Sequence, residues 1–191
     1  MLIPMPLDLR MAIALAECDL YSNLVTRATG RAVRGQLESM LGEMPGQRLA
    51  VLDFSHVGIL DFSCADEIVA QLLLRFGAGL PVNAHASQPA SYFMFRGLAD
   101  AHLEALEPVL ERHGLALVSE SPDGSMRLIG TVDPDEVSAW TLVVESGGGD
   151  VDAIASFSRD GRIDLYERLV ALAKRRLVIQ TGAGFHPLRH H

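Results

Sequence analysis

The chain has 191 residues, of which 49% are apolar and 21% are charged, a balance typical of globular proteins that excludes a disordered chain. Its formal net charge of −8 argues against a protein that coats nucleic acid with its whole surface. Its two cysteines, Cys18 and Cys64, form neither a disulfide framework nor a C-x-x-C pair, so we expect a cytoplasmic protein.

Near its start the chain has one short apolar run, Met11 to Ala16, behind Asp8 and Arg10. This run is too short and its flank too acidic for a signal peptide. No apolar run of about 18 residues, the length that indicates a membrane span, occurs in the sequence. We therefore expect no leader and no membrane segment, and we predict a first strand near Leu9–Leu15.

A helix is predicted over Asn23–Met44. Its apolar residues recur at helical spacing: Val33, Leu37, Met40 and Leu41. Arg27, Arg31 and Arg34 lie on its N-terminal half. Two interpretations stay open, a solvated face or a site where Arg27 and Arg31 bind a nucleotide, another anion or an acidic peptide, because arginine prefers carboxylate and phosphate partners.

The stretch from Leu49 to Phe76 predicts a strand, a loop and a helix in succession. Leu49–Phe54 is an apolar run broken only by Asp53, which suits a buried strand. The loop Ser55–Gly58 and the apolar step Ile59–Leu60 follow. The next apolar residues recur at helical spacing: Ile68, Val69, Leu72, Leu73 and Phe76.

The start of this helix offers two capping side chains. Asp61 and Ser63 can each accept hydrogen bonds from the unpaired backbone N–H groups of a first turn. Ser63, with Asp66 and Glu67, also has the S-x-x-D/E spacing of a capping box. The sequence leaves open which of the two residues is the cap.

The same stretch resembles the centre of the STAS domains, the family of bacterial anti-sigma factor antagonists and sulfate-transporter regulatory domains, which reads roughly V-L-D-L-S-x-V-x-x-x-D-S-S-G. Val51–Val57 and Asp61–Cys64 stand at the matching positions. Ser63–Glu67 is similar to a divergent STAS-like branch with the motif L-D-F-x-x-V…S-F-A-D-E. The resemblance covers about residues 7 to 130 and implies a mixed sheet with helices.

In anti-sigma factor antagonists the serine at the position of Ser63 is phosphorylated, and here Phe62 and Cys64 replace the serine and glycine beside it. Ser63 is therefore either a helix cap or a phosphorylation site. A phosphate at a helix N-terminus is favourable, and its roughly −1.5 to −2 charges would expel an acidic partner. The resemblance implies a switch or partner surface of five residues: Asp53, Asp61, Ser63, Asp66 and Glu67.

The elements that follow complete an alternation of strands and helices. They are a Gly/Pro/Ser-rich loop at 77–90, a strand at Tyr92–Leu98, a helix at Asp100–His113, a strand at Leu115–Ser119, a turn at Pro122–Gly124 and a strand at Met126–Ile129. Asp100 is the predicted cap of the helix and Gly114 its stop, and Pro108 should kink or shorten it. We therefore predict an α/β domain over residues 1–130.

The sequence offers no pattern for catalysis. Of its seven histidines, one pair, His186 and His190, has H-x-x-x-H spacing and none has H-E-x-x-H spacing, and we expect no metal site. Ser63 and Cys64 lack the G-x-S-x-G context of a nucleophile elbow, and no pair of catalytic carboxylates stands out. We therefore expect no enzyme and no cofactor.

Residues 131–191 are organised differently and form the second predicted domain. Its elements are helices at Val137–Glu145, Val151–Phe157 and Ile163–Arg176, a strand at Leu177–Gln180, a turn at Gly182–Gly184 and a strand at Phe185–Leu188. The run from Tyr166 to Val178 and the segment Gly182–Pro187 resemble the ending R-L-x-x-L-x-x-R-x-L-V…G-x-Y-x-P of bacterial winged-helix repressors. The resemblance implies a module that binds DNA, docks a protein or forms a dimer.

Charge is divided unevenly within this domain. Residues 131–158 carry six acids and no lysine or arginine, whereas residues 159–191 carry seven basic residues against three acids. The basic residues that would meet DNA phosphates or an acidic partner lie on the third helix and the turn before it: Arg159, Arg162, Arg168, Lys174 and Arg175. The alternative is a solvated helix end whose cations complement the helix dipole.

The sequence thus predicts a bacterial, non-enzymatic switch protein. The STAS-like domain would bind a protein partner or a small ligand, and the winged helix would relay that state through DNA or a second protein. Two alternatives stay open: an antagonist phosphorylated at Ser63, and a structural subunit of a larger assembly. Self-association as a homodimer fits either.

Overall fold

The structure, a computed structural model, describes residues 3–8, 23–42, 48–77, 91–157 and 162–189. The chain divides into two compact units, Met1–Thr131 and Val132–His191, one residue beyond the boundary that the sequence predicts. The strand predicted near Leu9–Leu15 and the loop residues 78–90 lie outside the described residues.

The first unit is built on a five-stranded sheet. The strands are β1 (Ile3–Asp8), β3 (Arg48–Asp53), β5 (Ser91–Arg96), β6 (Ala116–Glu120) and β7 (Met126–Gly130), in the order β1–β3–β5–β6–β7. The first four are parallel, and β7 returns antiparallel to β6. Two further short strands, β2 (Asn23–Leu24) and β4 (Ile59–Leu60), form a separate parallel ladder.

In the part of the chain that the structure describes, three helices lie between the parallel strands. They are α1 (Arg27–Gly42), α2, which runs through Phe62–Ala65, Asp66–Ala70 and Leu73–Gly77, and α3 (Asp100–His113). Because each crossover moves one strand along the sheet, and crossovers are right-handed, the three helices lie side by side on one face. Residues from all three, such as Val33, Ile68 and Leu106, join one hydrophobic core with Leu52 and Phe95 of the sheet.

The central strands are apolar on both faces. Ala50 and Leu52 of β3 belong to the core under the helices, and the alternate residues Leu49 and Val51 are also buried. A parallel strand covered on both faces requires such a continuous apolar run. The predicted buried strand at Leu49–Phe54 is confirmed within one residue.

Two predicted helices differ in detail from the observed ones. The helix predicted over Asn23–Met44 begins later, at Arg27, because Asn23 and Leu24 pair with β4. Pro108 does not shorten α3, which continues to His113 and ends at Gly114 in a left-handed conformation with φ 62°. The cap of α3 is Ala99 rather than Asp100. None of the helices in the described ranges is long and apolar enough to cross a membrane.

The described residues of the second unit, 132–157 and 162–189, contain three helices and a hairpin. They are α4 (Pro134–Ser146), α5 (Val151–Ala155), α6 (Arg162–Lys174), β8 (Ile179–Thr181) and β9 (Gly184–His186). Asp133 and Asp150 cap α4 and α5 through their side chains. Trp140 is buried, and its Nε1 donates to the carbonyl of Leu177 at 3.3 Å. The architecture of the chain is thus mixed α/β, as predicted.

Candidate functional site

The N-terminus of α2 is capped by Asp61. Its Oδ1 accepts a hydrogen bond from the backbone N–H of Cys64 at 2.9 Å, and Ser63 Oγ donates to the same oxygen at 2.9 Å. Ser63 therefore lies inside the first turn, half-buried, and is not the cap. The predicted capping box of Ser63 with Asp66 and Glu67 is wrong, because both carboxylates bind other partners.

The short β2–β4 ladder leads into this cap and carries an exposed apolar patch. The backbone N–H of Asp61 donates to the carbonyl of Leu24 at 2.9 Å, which joins the start of α2 to β2. Val25, Ile59 and Phe62, defined here as the apolar patch, are 48%, 51% and 39% exposed. Among the first-unit residues whose exposure is described (23–42, 49–76 and 91–131), these are all of the large apolar side chains that are exposed.

Asp66 and Glu67 lie in the next turn of α2 and are buried between the neighbouring helices. Glu67 accepts hydrogen bonds from Arg27 at 2.9 Å, Arg31 at 3.1 Å and Arg34 at 2.6 Å, all on α1. Asp66 accepts one from Arg27 at 3.2 Å and lies 2.7 Å from His113 Nε2 at the end of α3. These two carboxylates therefore tie α2 to both flanking helices, and we call the six residues the ion cluster.

The ion cluster keeps its carboxylates ionised. Burial alone would raise the pKa of Asp66, but the hydrogen bonds with His113 and Arg27 outweigh it and hold that pKa below its ordinary value. Burial would likewise raise the pKa of Glu67, and the bonds from Arg27 and Arg31 lower it. A general acid or base would need a pKa moved toward neutrality, so neither carboxylate is tuned for proton transfer.

Two adjacent carboxylates are both buried because side chains of two flanking helices bind them, those of α1 and that of His113 on α3. The turns over Asp66–Ala70 and Leu73–Gly77 are π-helical, and every residue from Cys64 to Ala70 is buried. A regular α-helix turns neighbouring side chains by 100° and presents a narrower apolar stripe. Helices often contain such π segments at functional positions.

The helices α1 and α2 pack closely against each other at Gly30. A Cβ atom at Gly30 would lie 3.0 Å from Glu67 Cβ and 3.1 Å from Cys64 Cα. Cys64 Sγ donates to the carbonyl of Thr26 at 2.9 Å. Burial raises the pKa of this thiol to about 11, so Cys64 is protonated at neutral pH and is a packing residue rather than a nucleophile.

Asp53 is held apart from these residues, at the end of β3. It accepts hydrogen bonds from the Ser55 N–H at 2.9 Å and from Arg96 Nε at 2.8 Å. Burial would raise the pKa of Asp53, but the bonds from Ser55 and Arg96 lower it. Asp53 thus stabilises the turn after β3 through neighbours in its own sheet.

The five predicted switch residues therefore do not form one surface. Asp61 and Ser63 lie beside the apolar patch, Asp66 and Glu67 are buried in the ion cluster, and Asp53 pairs with Arg96. Arg27 and Arg31, the predicted site for an anion or an acidic peptide, each bind carboxylates of α2 through one nitrogen and stay partly exposed. The sequence analysis did not predict the apolar patch, because apolar residues next to a buried strand are ordinarily read as core.

Two of the five predicted basic residues of the second unit are paired with acids. Arg168 on α6 lies 2.7 Å from Asp135, and Arg175, directly after α6, lies 2.5 Å from Glu136, so both pair with acids at the start of α4. Lys174 is exposed. Arg159 and the side chain of Arg162 lie outside the described residues.

A groove between α4 and α6 carries an excess of acidic side chains. It is lined by five acids, one arginine and one alanine: Asp133, Asp135, Glu136, Asp164, Glu167, Arg168 and Ala171. Such a surface repels phosphate.

Neither a cluster of metal ligands in the described residues nor a similar protein identifies the site further. Within the described ranges, no three histidine, cysteine or carboxylate side chains come together as a metal site would require. Comparison of the chain with protein-family models, with curated proteins and with solved structures found no match.

Proposed function

We propose that this chain is a non-enzymatic switch protein whose STAS-like first unit binds a protein partner at the N-terminus of α2. The observation that carries the proposal is the apolar patch of Val25, Ile59 and Phe62, which lie in the paired strands β2 and β4 or within two residues of them. Exposed apolar side chains gathered at one place commonly mark protein interaction surfaces. The capped, hydrogen-bonded turn at Asp61 holds this patch in a fixed geometry, which lowers the entropic cost of binding.

A protein partner fits this end of the unit better than a small anionic ligand does. The arginines that would bind an anion, Arg27 and Arg31, are engaged by Glu67. A small anion would meet only the outward nitrogens of these guanidinium groups and gain no contact with the apolar patch, whereas a protein partner can use both.

We infer that the winged-helix-like second unit relays the bound state through a second protein rather than through DNA. Arg168 on α6 and Arg175 directly after it pair with Asp135 and Glu136. Phosphate contacts would require these cations to leave their carboxylates, and the groove beside them is acidic.

Site-specific photo-crosslinking in the producing cell tests the partner proposal. Benzoyl-phenylalanine at Phe62 keeps an aromatic side chain in the patch, and the matched control carries the same group at Glu104, which is exposed on α3. We expect a discrete protein adduct from position 62 and none from position 104. Equal or absent adducts at the two positions contradict the proposal, and an adduct of twice the chain's mass indicates the structural-subunit alternative.

Binding to duplex DNA at about 50 and about 200 mM salt tests the relay. We expect no binding at either salt concentration, because an acidic groove faces the cations of α6. Binding that weakens steeply with salt and disappears in Arg168→Ala/Arg175→Ala would overturn the protein relay in favour of DNA.

Phosphorylation of Ser63 is the second candidate, favoured by its position beside the patch. Its hydroxyl donates to Asp61, and a phosphate there would place roughly −1.5 to −2 charges next to that carboxylate at the edge of the patch. Ser63→Asp should then abolish the adduct at position 62, whereas Ser63→Ala should retain it. Retention of the adduct in Ser63→Asp counts against a phosphate switch.

A further inference from the structure

We infer that the apolar patch and the exposed arginines of α1 together recognise an acidic amphipathic segment of another protein. This inference rests on the proposed function and adds the chemistry of the partner. Val25 precedes Arg27 by two residues, and Arg31 lies one turn further along α1. Apolar and cationic side chains therefore adjoin at the start of this helix.

The two arginines keep exposed surface although they bind the buried carboxylates. Arg27 uses one nitrogen, Nη1, for its bonds to both Asp66 and Glu67, and its side chain is 44% exposed. Arg31 binds Glu67 through Nε and is 63% exposed. Guanidinium groups donate in several directions, so each can add a carboxylate from outside.

The charge on the α1 side of this end favours acids in the partner. Arg27, Arg31 and Arg34 face the two buried carboxylates, which leaves one positive charge in excess on that side, opposite the negative charge of Asp61 at the patch. Arg75 and Glu38 extend this network without changing the excess. The positive end of the α1 dipole adds to the attraction, and no acid lies in the first turn of α1.

The buried carboxylates also preorganise the arginines. Glu67 fixes the heads of Arg27 and Arg31 in place, so a partner carboxylate meets side chains that have already lost their rotamer freedom. Near the patch, Asp61 is the opposing charge, and its carboxylate already accepts bonds from Cys64 and Ser63. An amphipathic segment with an apolar stripe over Ile59 and Phe62 and acids toward α1 satisfies both features.

Two synthetic helical peptides of about 18 residues test this inference. Both carry the same leucine stripe, one with glutamates and one with lysines on the polar face, and binding to the full chain is followed by fluorescence anisotropy. We expect the glutamate peptide to bind more tightly than the lysine peptide. Its affinity should fall as the salt concentration rises from about 50 to about 200 mM. Tighter binding of the lysine peptide, or no binding of either, overturns the inference.

Substitutions test which residues of the chain bind the glutamate peptide. Arg31→Glu should lower the affinity for the glutamate peptide about tenfold. Arg127→Glu on the edge strand β7 should leave that affinity unchanged. Arg31→Ala, which adds no like charge beside Glu67, serves as the second variant. It should lower the affinity for the glutamate peptide by up to about fivefold. An unchanged affinity in both Arg31 variants overturns the inference.

The same experiment separates this inference from the proposed function. If Ile59→Ser removes binding of both peptides while the Arg31 variants change neither, the patch is a docking surface without preference for acids. The proposed function then stands and the acidic partner does not. If Ile59→Ser changes nothing and the position 62 adduct is absent, the proposed function fails as well.

Discussion

At the scale of the residue, Glu67 shows how this fold accommodates a buried charge. Its two oxygens accept hydrogen bonds from Arg27, Arg31 and Arg34, which lie at i, i+4 and i+7 on one face of α1. A carboxylate taken out of water is costly unless its hydrogen-bonding capacity is filled. Three guanidinium groups fill it here, and each remains partly exposed and so retains part of its own hydration.

Glu67→Gln should lower the free energy of unfolding by about 2 kcal/mol. Removing one partner of a fully buried ion pair costs more, roughly 3–5 kcal/mol, but these arginines can turn toward water. Urea unfolding followed by far-UV circular dichroism measures the change. The control is Glu104→Gln on the exposed face of α3, which should stay within about 0.5 kcal/mol of the wild type. A loss no larger than that of the control would contradict the role of Glu67.

The lowered pKa values of Asp66 and Glu67 predict that acid destabilises the first unit. The ordinary values are 3.8 and 4.5, so as pH falls below about 5 the unfolded chain takes up protons before the folded one does. The free energy of unfolding therefore decreases until the pH has passed the lowered values. Stability above pH 5 should be independent of these two groups' titration.

Urea unfolding of the wild type and of Asp66→Asn/Glu67→Gln, between pH 3 and pH 7, measures how the free energy of unfolding depends on pH in each protein. The double variant should be less stable at pH 7 and should lose less stability on acidification than the wild type. Asp53 and Asp123, whose pKa values are also lowered, contribute alike to both proteins. Parallel curves would show that the ion cluster does not cause the acid sensitivity.

At the scale of the element, the contact of α1 with α2 depends on Gly30. A side chain there would meet the backbone of Cys64 and the Cβ of Glu67, so Gly30→Val should destabilise the first unit by about 2 kcal/mol. Gly35 lies on the same helix with open space around it. Gly35→Val should be neutral or slightly stabilising, because valine has the better helix propensity. Thermal unfolding of the two variants measures the difference, and equal transition temperatures would contradict a close contact.

The elements also show what sequence patterns can and cannot predict. Apolar spacing predicted β3 and the buried face of α2, because these depend on alternation and on the 3.6-residue period. It could not predict that Asp66 and Glu67 bind arginines 33 to 40 residues away. Such pairs form only once parallel strands have brought α1 beside α2, so local spacing suggested a capping box instead.

At the scale of the whole molecule, the candidate site was predicted in part. The resemblance to STAS domains drew attention to the start of α2, where Asp61 and Ser63 do lie together. It could not indicate that Ile59 and Phe62 remain exposed, because apolar residues near a buried strand are ordinarily read as core. In the second unit, residue counts predicted a basic surface, and only the fold places Asp135 and Glu136 against it.

Each unit has a core of its own, so we predict that the two unfold independently. The large core cluster of the first unit is drawn from residues between Leu24 and Ile129, and units with separate cores ordinarily fold by themselves. Trp140 is the single tryptophan of the chain and lies buried in the second unit. Its fluorescence therefore reports the second unit, whereas far-UV circular dichroism reports both.

The two signals should give transitions that do not coincide in urea. Glu67→Gln should move the part of the circular dichroism transition that belongs to the first unit to lower urea and leave the Trp140 transition in place. The matched test is Ile154→Ala, a core residue of α5, which should move the Trp140 transition by the equivalent of about 2–4 kcal/mol and leave the remaining circular dichroism signal unchanged. If either substitution shifts both signals equally, the units unfold as one cooperative body, and a partner bound at the patch would act directly on the stability of the second unit.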